Sequence, residues 1–178
     1  SPFYGFYDRR YAVYWDLFTP EAWQKRKADL EAERRRGQRL AQRTLDVLRI
    51  GEMQPERDHH LTGERTAAGT FSGRKWRHAT DGGHFAFTMK ADPDGPVDLL
   101  CTWWGGDAGG RAFDILVDGQ KIATQKLQRN KPGKFFGVAY PIPEELTRGK
   151  KQVTVKLQAH PGKTAGGLFG ARTLRRNE

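Results

Sequence analysis

The pattern of hydrophobic and polar positions changes its period part-way along the chain. From about residue 84 onward apolar side chains alternate with polar ones. The alternating sets are Phe85, Phe87 and Met89; Val97, Leu99, Cys101 and Trp103; Phe113, Ile115 and Val117; and Val153, Val155 and Leu157. A strand places successive side chains on opposite faces, so each of these segments is predicted to be a strand with one buried face.

Strands separated by turns are predicted over most of the chain. We expect them near residues 70–76, 84–90, 97–104, 111–117, 120–127, 134–140, 151–159 and 166–174. Asp118-Gly119 stands between two of these segments, and this dipeptide favours a two-residue hairpin turn. The spacing predicts a mainly β fold, an antiparallel two-sheet sandwich of jelly-roll type over residues 52–178, with a polar connector at 52–70.

The preceding residues follow a helical pattern. Thr19 is suited to cap a helix, Pro20 fits the first helical position, and Glu21 favours the positive end of the helix dipole. The chain from there is rich in Ala, Leu, Glu, Lys, Arg and Gln and lacks proline as far as Ile50. One long helix is therefore predicted over residues 19–51, with Gly51 as its end.

The first eighteen residues, SPFYGFYDRRYAVYWDLF, are dominated by aromatic and large aliphatic side chains. Such a short segment cannot hide this much apolar surface by itself. We expect residues 1–18 to be a docking segment that packs on the sandwich, on the helix or on another chain.

Composition and charge exclude some partners. The chain has 178 residues, and no apolar run reaches the roughly 18 residues that a membrane span needs. Lys and Arg exceed Asp and Glu by 31 − 21 = 10, which favours polyanions in general. The three arginines at 34–36 point in three directions on a helix and lie beside acidic residues, so they indicate a solvated helix. No nucleic-acid partner is predicted.

The chain offers no recognisable catalytic or metal-binding set. Cys101 is in phase with Val97 and Leu99, so its thiol is predicted to be buried and inert. Asp58, His59 and His60 lack further ligands at a known spacing and are predicted to belong to the polar connector. No common nucleophile, phosphate-loop or metalloprotease motif occurs. We therefore predict no catalytic residue, no metal and no cofactor.

Tryptophan and arginine residues near the predicted strand ends are the candidates for binding. Flat aromatic side chains at the ends of a β-sandwich can stack on sugar rings, while charged neighbours fix the hydroxyl groups. The candidate carbohydrate-binding residues are Trp76, Arg77, Trp104, Asp107 and Arg111. The alternative is that these rings serve core or interface packing.

Alternation distinguishes the two adjacent tryptophans. Trp103 falls on the apolar face of its strand. Trp104 therefore lies on the other face, where we expect its ring to contact something other than the core. The glycines at 105, 106, 109 and 110 would let Asp107 and Arg111 approach whatever covers the Trp104 ring.

Three strings together resemble a known family. WWGGD at 103–107, RAFDILVDG at 111–119 and HPGKTAGG at 160–167 are similar to the C-terminal β-sandwich domain, catalogued as of unknown function, of bacterial β-L-arabinofuranosidase-type glycoside hydrolases of families 127 and 146. The opening FYGFYDRRYAVYWDLFT resembles the segment that follows the catalytic barrel in those enzymes.

This resemblance implies a non-catalytic accessory domain that packs on a helical catalytic barrel and contacts arabinose-containing plant glycan. It also implies a periplasmic or extracellular location. Those enzymes act through a zinc-bound cysteine and a glutamate in the barrel, and this chain has no such cluster, so no catalytic residue carries over. An independent carbohydrate-binding module is the alternative.

Overall fold

This computed structural model describes residues 19–176; the predicted docking segment at 1–18 lies outside that range. The chain divides into two units between Gln42 and Arg43. The elements are α1 (Pro20–Arg43), β1 (Thr44–Leu48), α2 (Met53–Asp58), β2 (Thr62–Phe71), β3 (Arg74–Lys90), β4 (Val97–Trp104), β5 (Arg111–Val117), β6 (Gln120–Leu127), β7 (Phe135–Pro141), α3 (Glu144–Thr147), β8 (Gln152–Ala159) and β9 (Ala165–Arg175).

The start of α1 follows its capping residue. The Thr19 hydroxyl accepts a hydrogen bond from the Ala22 amide at 3.1 Å, and the Thr19 carbonyl accepts one from the Trp23 amide at 2.8 Å. These contacts satisfy amides that a helix N-terminus otherwise leaves without partners. Among the described residues, no helix is both long enough and apolar enough to span a lipid bilayer.

The predicted end of the helix at residue 51 is wrong. The helix ends at Arg43, and Thr44–Leu48 form strand β1, which pairs antiparallel with β9. The apolar residues near this point fit a helical or an extended period equally well, and pairing with β9 selects the extended form because it buries Leu48 and Ile50. Gly51 lies in the turn that follows, with a φ of 81°.

The predicted jelly-roll sandwich is confirmed. One layer is β6-β5-β8-β3 and the other is β9-β4-β7 with β1 added beside β9. The long strand β3 belongs to both layers, because His84–Lys90 pair with β8 whereas Arg77–Ala79 pair with β9. The sheet therefore folds over on itself within β3, between its two pairing segments.

The core lies between these layers and consists of the side chains that alternation selected. Phe85, Phe87, Trp103, Phe113 and Ile115 are all fully buried. The strands alternate between buried and more exposed positions, as β5 and β8 show most clearly. The alternating apolar residues of the sequence therefore form the interior of one sandwich.

The core contains two side chains that the sequence predicted to be buried, the Cys101 thiol and the Trp103 indole. Cys101 is buried and is a free thiol, as predicted, and burial raises its pKa far above the ordinary range. The Trp103 indole N–H donates to the Tyr140 hydroxyl at 2.9 Å, so the one polar atom of this buried ring has a partner.

The polar connector predicted at 52–70 is wrong in its second half. Met53–Asp58 form the short helix α2, and Thr62–Phe71 form strand β2, which pairs with β3. Most residues of β2 are exposed, and within residues 19–176 it pairs with β3 alone. An exposed strand needs no apolar alternation, which is why the sequence pattern did not reveal it.

Candidate functional site

The hairpin of β2 and β3 presents two chemically different faces. Its register pairs Gly69 with Trp76 and Phe71 with Arg74 across the strands. Residues that pair directly across two antiparallel strands share a face, so Phe71, Arg74, Trp76 and His78 lie on one side. Their neighbour Arg77 lies on the other side.

Aromatic rings meet where this hairpin covers one end of the sandwich. The Phe71 ring lies 5.1 Å from the Trp104 ring, which lies 4.8 Å from Phe135, which in turn lies 4.9 Å from Phe169, all measured between centroids. The Arg74 guanidinium lies 4.3 Å from the Phe135 centroid. Such distances are typical of favourable ring–ring and cation–π contacts.

Trp76 joins these rings through a glycine. A Cβ atom on Gly167 would lie 3.6 Å from Trp76 and 3.7 Å from Phe169, so both side chains flank that residue. On the hairpin itself, a Cβ atom on Gly69 would overlap the Trp76 indole. We call the set Phe71, Trp76, Trp104, Phe135 and Phe169 the aromatic cluster.

The two tryptophans of the cluster differ from the core tryptophan in their indole N–H groups. Within residues 19–176, neither Trp76 nor Trp104 donates its N–H to a protein acceptor, and neither N–H is buried without a partner. Both donors are therefore open to solvent, unlike the N–H of Trp103. Gly106 leaves room for one of them, because a Cβ atom there would lie 2.6 Å from the Trp104 indole nitrogen.

Two charged residues flank the loop after Trp104. The Asp107 amide donates to the Trp104 carbonyl at 3.1 Å, which closes a tight turn. The Arg111 guanidinium donates to the carbonyls of Ala108 at 3.2 Å and Gly166 at 2.9 Å. Burial raises the pKa of the Asp107 carboxyl, and the nearby charge of Arg111 opposes part of that rise.

His78 lies on strand β3 of the hairpin, beside Trp76. Its ring lies 4.6 Å from the Trp76 ring. Burial lowers the pKa of His78, and the positive charges of Arg111 and then Arg77 lower it further. The imidazole is therefore held in its neutral form beside the Trp76 indole at physiological pH.

Four of the five candidate residues from the sequence are brought to this end of the sandwich, namely Trp76, Trp104, Asp107 and Arg111. Arg77 is not, because it lies on the opposite face of the hairpin. There its Nε and NH2 atoms bind the two carboxylate oxygens of Glu56 at 2.7 Å and 2.8 Å. Its guanidinium is committed to a structural ion pair.

The sequence did not identify Phe71, Phe135 and Phe169 as parts of the cluster. Phe135 pairs with Trp104 across strands β7 and β4. That neighbourhood depends on which strands pair and in which register, and alternation within one strand carries neither kind of information.

The family model of DUF6805, a family of unknown function, matches residues 39–174. The chain belongs to the DUF6805 family. A search of curated proteins finds no match for it. The match covers the whole sandwich from β1 to nearly the end of β9, together with the last turn of α1.

Solved structures show which fold this DUF6805 domain shares. A family 35 carbohydrate-binding module from Clostridium thermocellum is 11% identical, with a TM-score of 0.56 over 74% of this chain and 99% of that chain. A family 35 module from an environmental isolate is 11% identical, with a TM-score of 0.55 over 72% and 92% of the two chains.

A third similar structure is an exo-β-1,3-galactanase from Phanerochaete chrysosporium, 13% identical, with a TM-score of 0.50 over 66% of this chain and 27% of that chain. The region of that enzyme that matches this chain is therefore about a quarter of the enzyme's length. At these identities the likeness establishes a shared fold.

Proposed function

We propose that this chain is a carbohydrate-binding domain of a secreted, extracellular or periplasmic protein, and that glycan binds at the aromatic cluster. The observation that carries the proposal is the pair of half-buried tryptophans, Trp76 and Trp104, whose indole N–H groups face solvent. A ring that serves only packing gains most from full burial with its N–H satisfied, as in Trp103.

The chemistry of the cluster suits a sugar. The apolar faces of sugar rings stack on aromatic rings, and sugar hydroxyls accept or donate hydrogen bonds at fixed directions. The indole N–H groups of Trp76 and Trp104 are donors, the Asp107 carboxylate is an acceptor, and Arg111 keeps N–H groups beyond the two that bind carbonyls. A mainly apolar surface with a few convergent polar groups is typical of small-ligand sites.

The solved structures that share this fold support the proposal, because some of them are carbohydrate-binding modules. Two of them are carbohydrate-binding modules of family 35, and each is matched over more than nine-tenths of its length. A domain of this fold with aromatic side chains at one end is suited to the same class of ligand.

Binding to a panel of soluble arabinan, galactan, xylan and mannan by isothermal titration calorimetry tests the proposal. Trp104→Ala and Trp76→Ala are each expected to weaken binding to the preferred glycan by about tenfold, since a lost stacking contact and hydrogen bond together are worth roughly 1.4 kcal/mol. Met53→Ala, which removes an exposed apolar side chain outside the cluster, is the control. Unchanged affinity in both tryptophan variants would contradict the proposal.

A second candidate function is an accessory domain that packs on the catalytic barrel of a β-L-arabinofuranosidase-type enzyme. The strings at 103–107, 111–119 and 160–167 favour it, and the galactanase likeness supports it, because the similar region there is about a quarter of an enzyme. On this proposal the purified chain hydrolyses no aryl arabinofuranoside. Turnover by the chain that a single substitution within it abolishes would contradict it.

A further inference from the structure

A basic pocket lies beside the loop that carries Asp107. It has a volume of about 350 Å³ and is bounded by the loop at 108–110, the ends of strands β5 and β6, and the turn before β9. Among the described residues that line it are four cationic side chains and no carboxylate. The four are Arg111, Lys126, Arg129 and Lys163.

Three segments of the chain carry these cationic residues, and the Lys126, Arg129 and Lys163 residues are exposed. Lys126 pairs with Ala112 in the ladder between β6 and β5. The Arg129 amide donates to the Asp107 carbonyl at 2.9 Å, which ties its loop to the turn after Trp104. The pocket is thus built on backbone hydrogen bonds that fix the start of each side chain.

Lys163 is fixed from the other side. The amide of the next residue, Thr164, donates to the Gly110 carbonyl at 3.0 Å. A Cβ atom on Gly110 would lie 3.6 Å from the Lys163 side chain, so the lysine stem crosses this glycine. Lys163 is exposed and lines the pocket from this side.

The protein offsets only part of the positive charge of the pocket. Over residues 19–176, Lys126, Arg129 and Lys163 form no ion pair with a carboxylate. Arg111 donates to two backbone carbonyls, and its charge also acts on the nearby Asp107 carboxyl, which lies outside the lining of the pocket. Four like charges around one small space favour an anion that is bound between them.

We propose that this basic pocket binds an anionic group of an acidic glycan, a carboxylate or a sulfate, while the neutral part of the same glycan lies on the aromatic cluster. The inference rests on the proposed function, since it extends the same site. Arg111 connects the two parts, because it lines the pocket and binds the carbonyl of Gly166, whose neighbour Gly167 lies against Trp76.

Calorimetry with matched oligosaccharides tests the inference on the whole chain. An oligogalacturonide, a sulfated galactan oligosaccharide and a neutral galactan oligosaccharide of equal length distinguish carboxylate, sulfate and uncharged ligands. At low ionic strength at least one acidic oligosaccharide is expected to bind about tenfold more tightly than the neutral one, and this preference should shrink as salt screens the charges. Equal affinities for all three at low salt would overturn the inference.

Single variants assign the preference to the pocket. Lys163→Gln and Arg129→Gln are each expected to lower the affinity for the acidic oligosaccharide severalfold and to leave the neutral affinity unchanged. Lys151→Gln makes the same change of charge at an exposed lysine outside the pocket and is the control. An equal loss in the control variant would overturn the inference, because it would show that net charge alone is responsible.

The outcomes separate this inference from the proposed function. Neutral binding that Trp104→Ala abolishes, without any acidic preference, would leave the function standing and overturn the inference. Acidic binding that Lys163→Gln weakens and Trp104→Ala does not would support the pocket and contradict the aromatic site. A single-stranded oligonucleotide that binds as tightly as the acidic glycan would overturn the inference, since the pocket would then select polyanions of any kind.

Discussion

Arg77 and Glu56 form a two-pronged ion pair, with the guanidinium Nε 2.7 Å from one carboxylate oxygen and NH2 2.8 Å from the other. The same carboxylate accepts the Gly51 amide at 2.9 Å. One pair thus connects strand β3, helix α2 and the turn after β1. Arg77 faces away from the aromatic cluster and binds Glu56. This ion pair anchors the hairpin, and the hairpin carries Phe71 and Trp76 of the cluster on its other face.

Removal of one partner of this pair is expected to destabilise the sandwich strongly. The Arg77 and Glu56 side chains are only 14% and 12% exposed. Arg77→Met leaves the buried carboxylate without its cation, which typically costs about 3 to 5 kcal/mol. Chemical denaturation measures the loss.

The exposed pair Arg49–Glu52 provides the matched control for that measurement. Its nitrogen and oxygen atoms are 3.5 Å apart, and the Arg49 side chain is 71% exposed. Arg49→Met is expected to cost less than about 1 kcal/mol. Similar losses in Arg77→Met and Arg49→Met would contradict the structural role given to the buried pair.

The pH dependence of stability should carry the signature of Glu56. Burial by itself raises the pKa of this carboxyl, but the hydrogen bonds from Arg77 and Gly51 and the charge of Arg77 outweigh it, so the pKa lies below its ordinary value of 4.5. A lowered pKa in the folded state stabilises the fold above pH 4.5, and this stabilisation is lost as pH falls below that value.

Denaturation midpoints measured from neutral to acidic pH test this expectation. Glu56→Gln lacks the titrating carboxyl and should be less stable at neutral pH, and its stability should fall less steeply below pH 4.5. Parallel curves for the two proteins would show that other carboxyl groups account for the acid sensitivity.

The adjacent tryptophans at the end of β4 should separate stability from binding. Trp103 is fully buried, and its N–H is satisfied by Tyr140. Trp103→Ala is expected to cost about 3 to 5 kcal/mol. Trp104→Ala should cost clearly less, because its ring is half-buried among other aromatic rings, and it should instead reduce glycan affinity. Melting temperature and calorimetry on both variants test the contrast, and a larger stability loss for Trp104→Ala would contradict it.

Alternation predicted the interior of this fold because the buried strands have one wet and one dry face. Val97, Leu99 and Cys101 are all buried, in the phase that the sequence gives for this strand. Strand β2 escaped prediction because it is largely exposed, and β1 because five residues at a helix end satisfy both periods. Periodicity identifies an element only where burial constrains it.

The positions of the candidate residues at one end of the sandwich were predictable for a different reason, except for that of Arg77. Trp104 was placed outward by the phase of its own strand, which is a local property. Trp76 and Arg77 are neighbours in the sequence, but adjacent residues of a strand face opposite sides. Their assignment to different faces needed the β2–β3 pairing, and the sequence had not revealed β2.

The last prediction concerns the electrostatic contact between Arg111 and His78. Burial is the first cause of the lowered His78 pKa, and the charge of Arg111 is the second. Arg111→Gln removes that charge and should raise the His78 pKa toward its ordinary value of 6.5, but only in part, because the burial remains. Titration of the imidazole resonances by NMR measures the change, and Lys151→Gln, which alters a charge elsewhere, should leave the His78 pKa unchanged.

The same titration tests the basic pocket. A saturating acidic oligosaccharide bound near Arg111 should also raise the His78 pKa in the unmodified protein, because its negative charge offsets that of the guanidinium. A His78 pKa that moves with neither the substitution nor the acidic ligand would show that Arg111 does not join the pocket to the aromatic cluster.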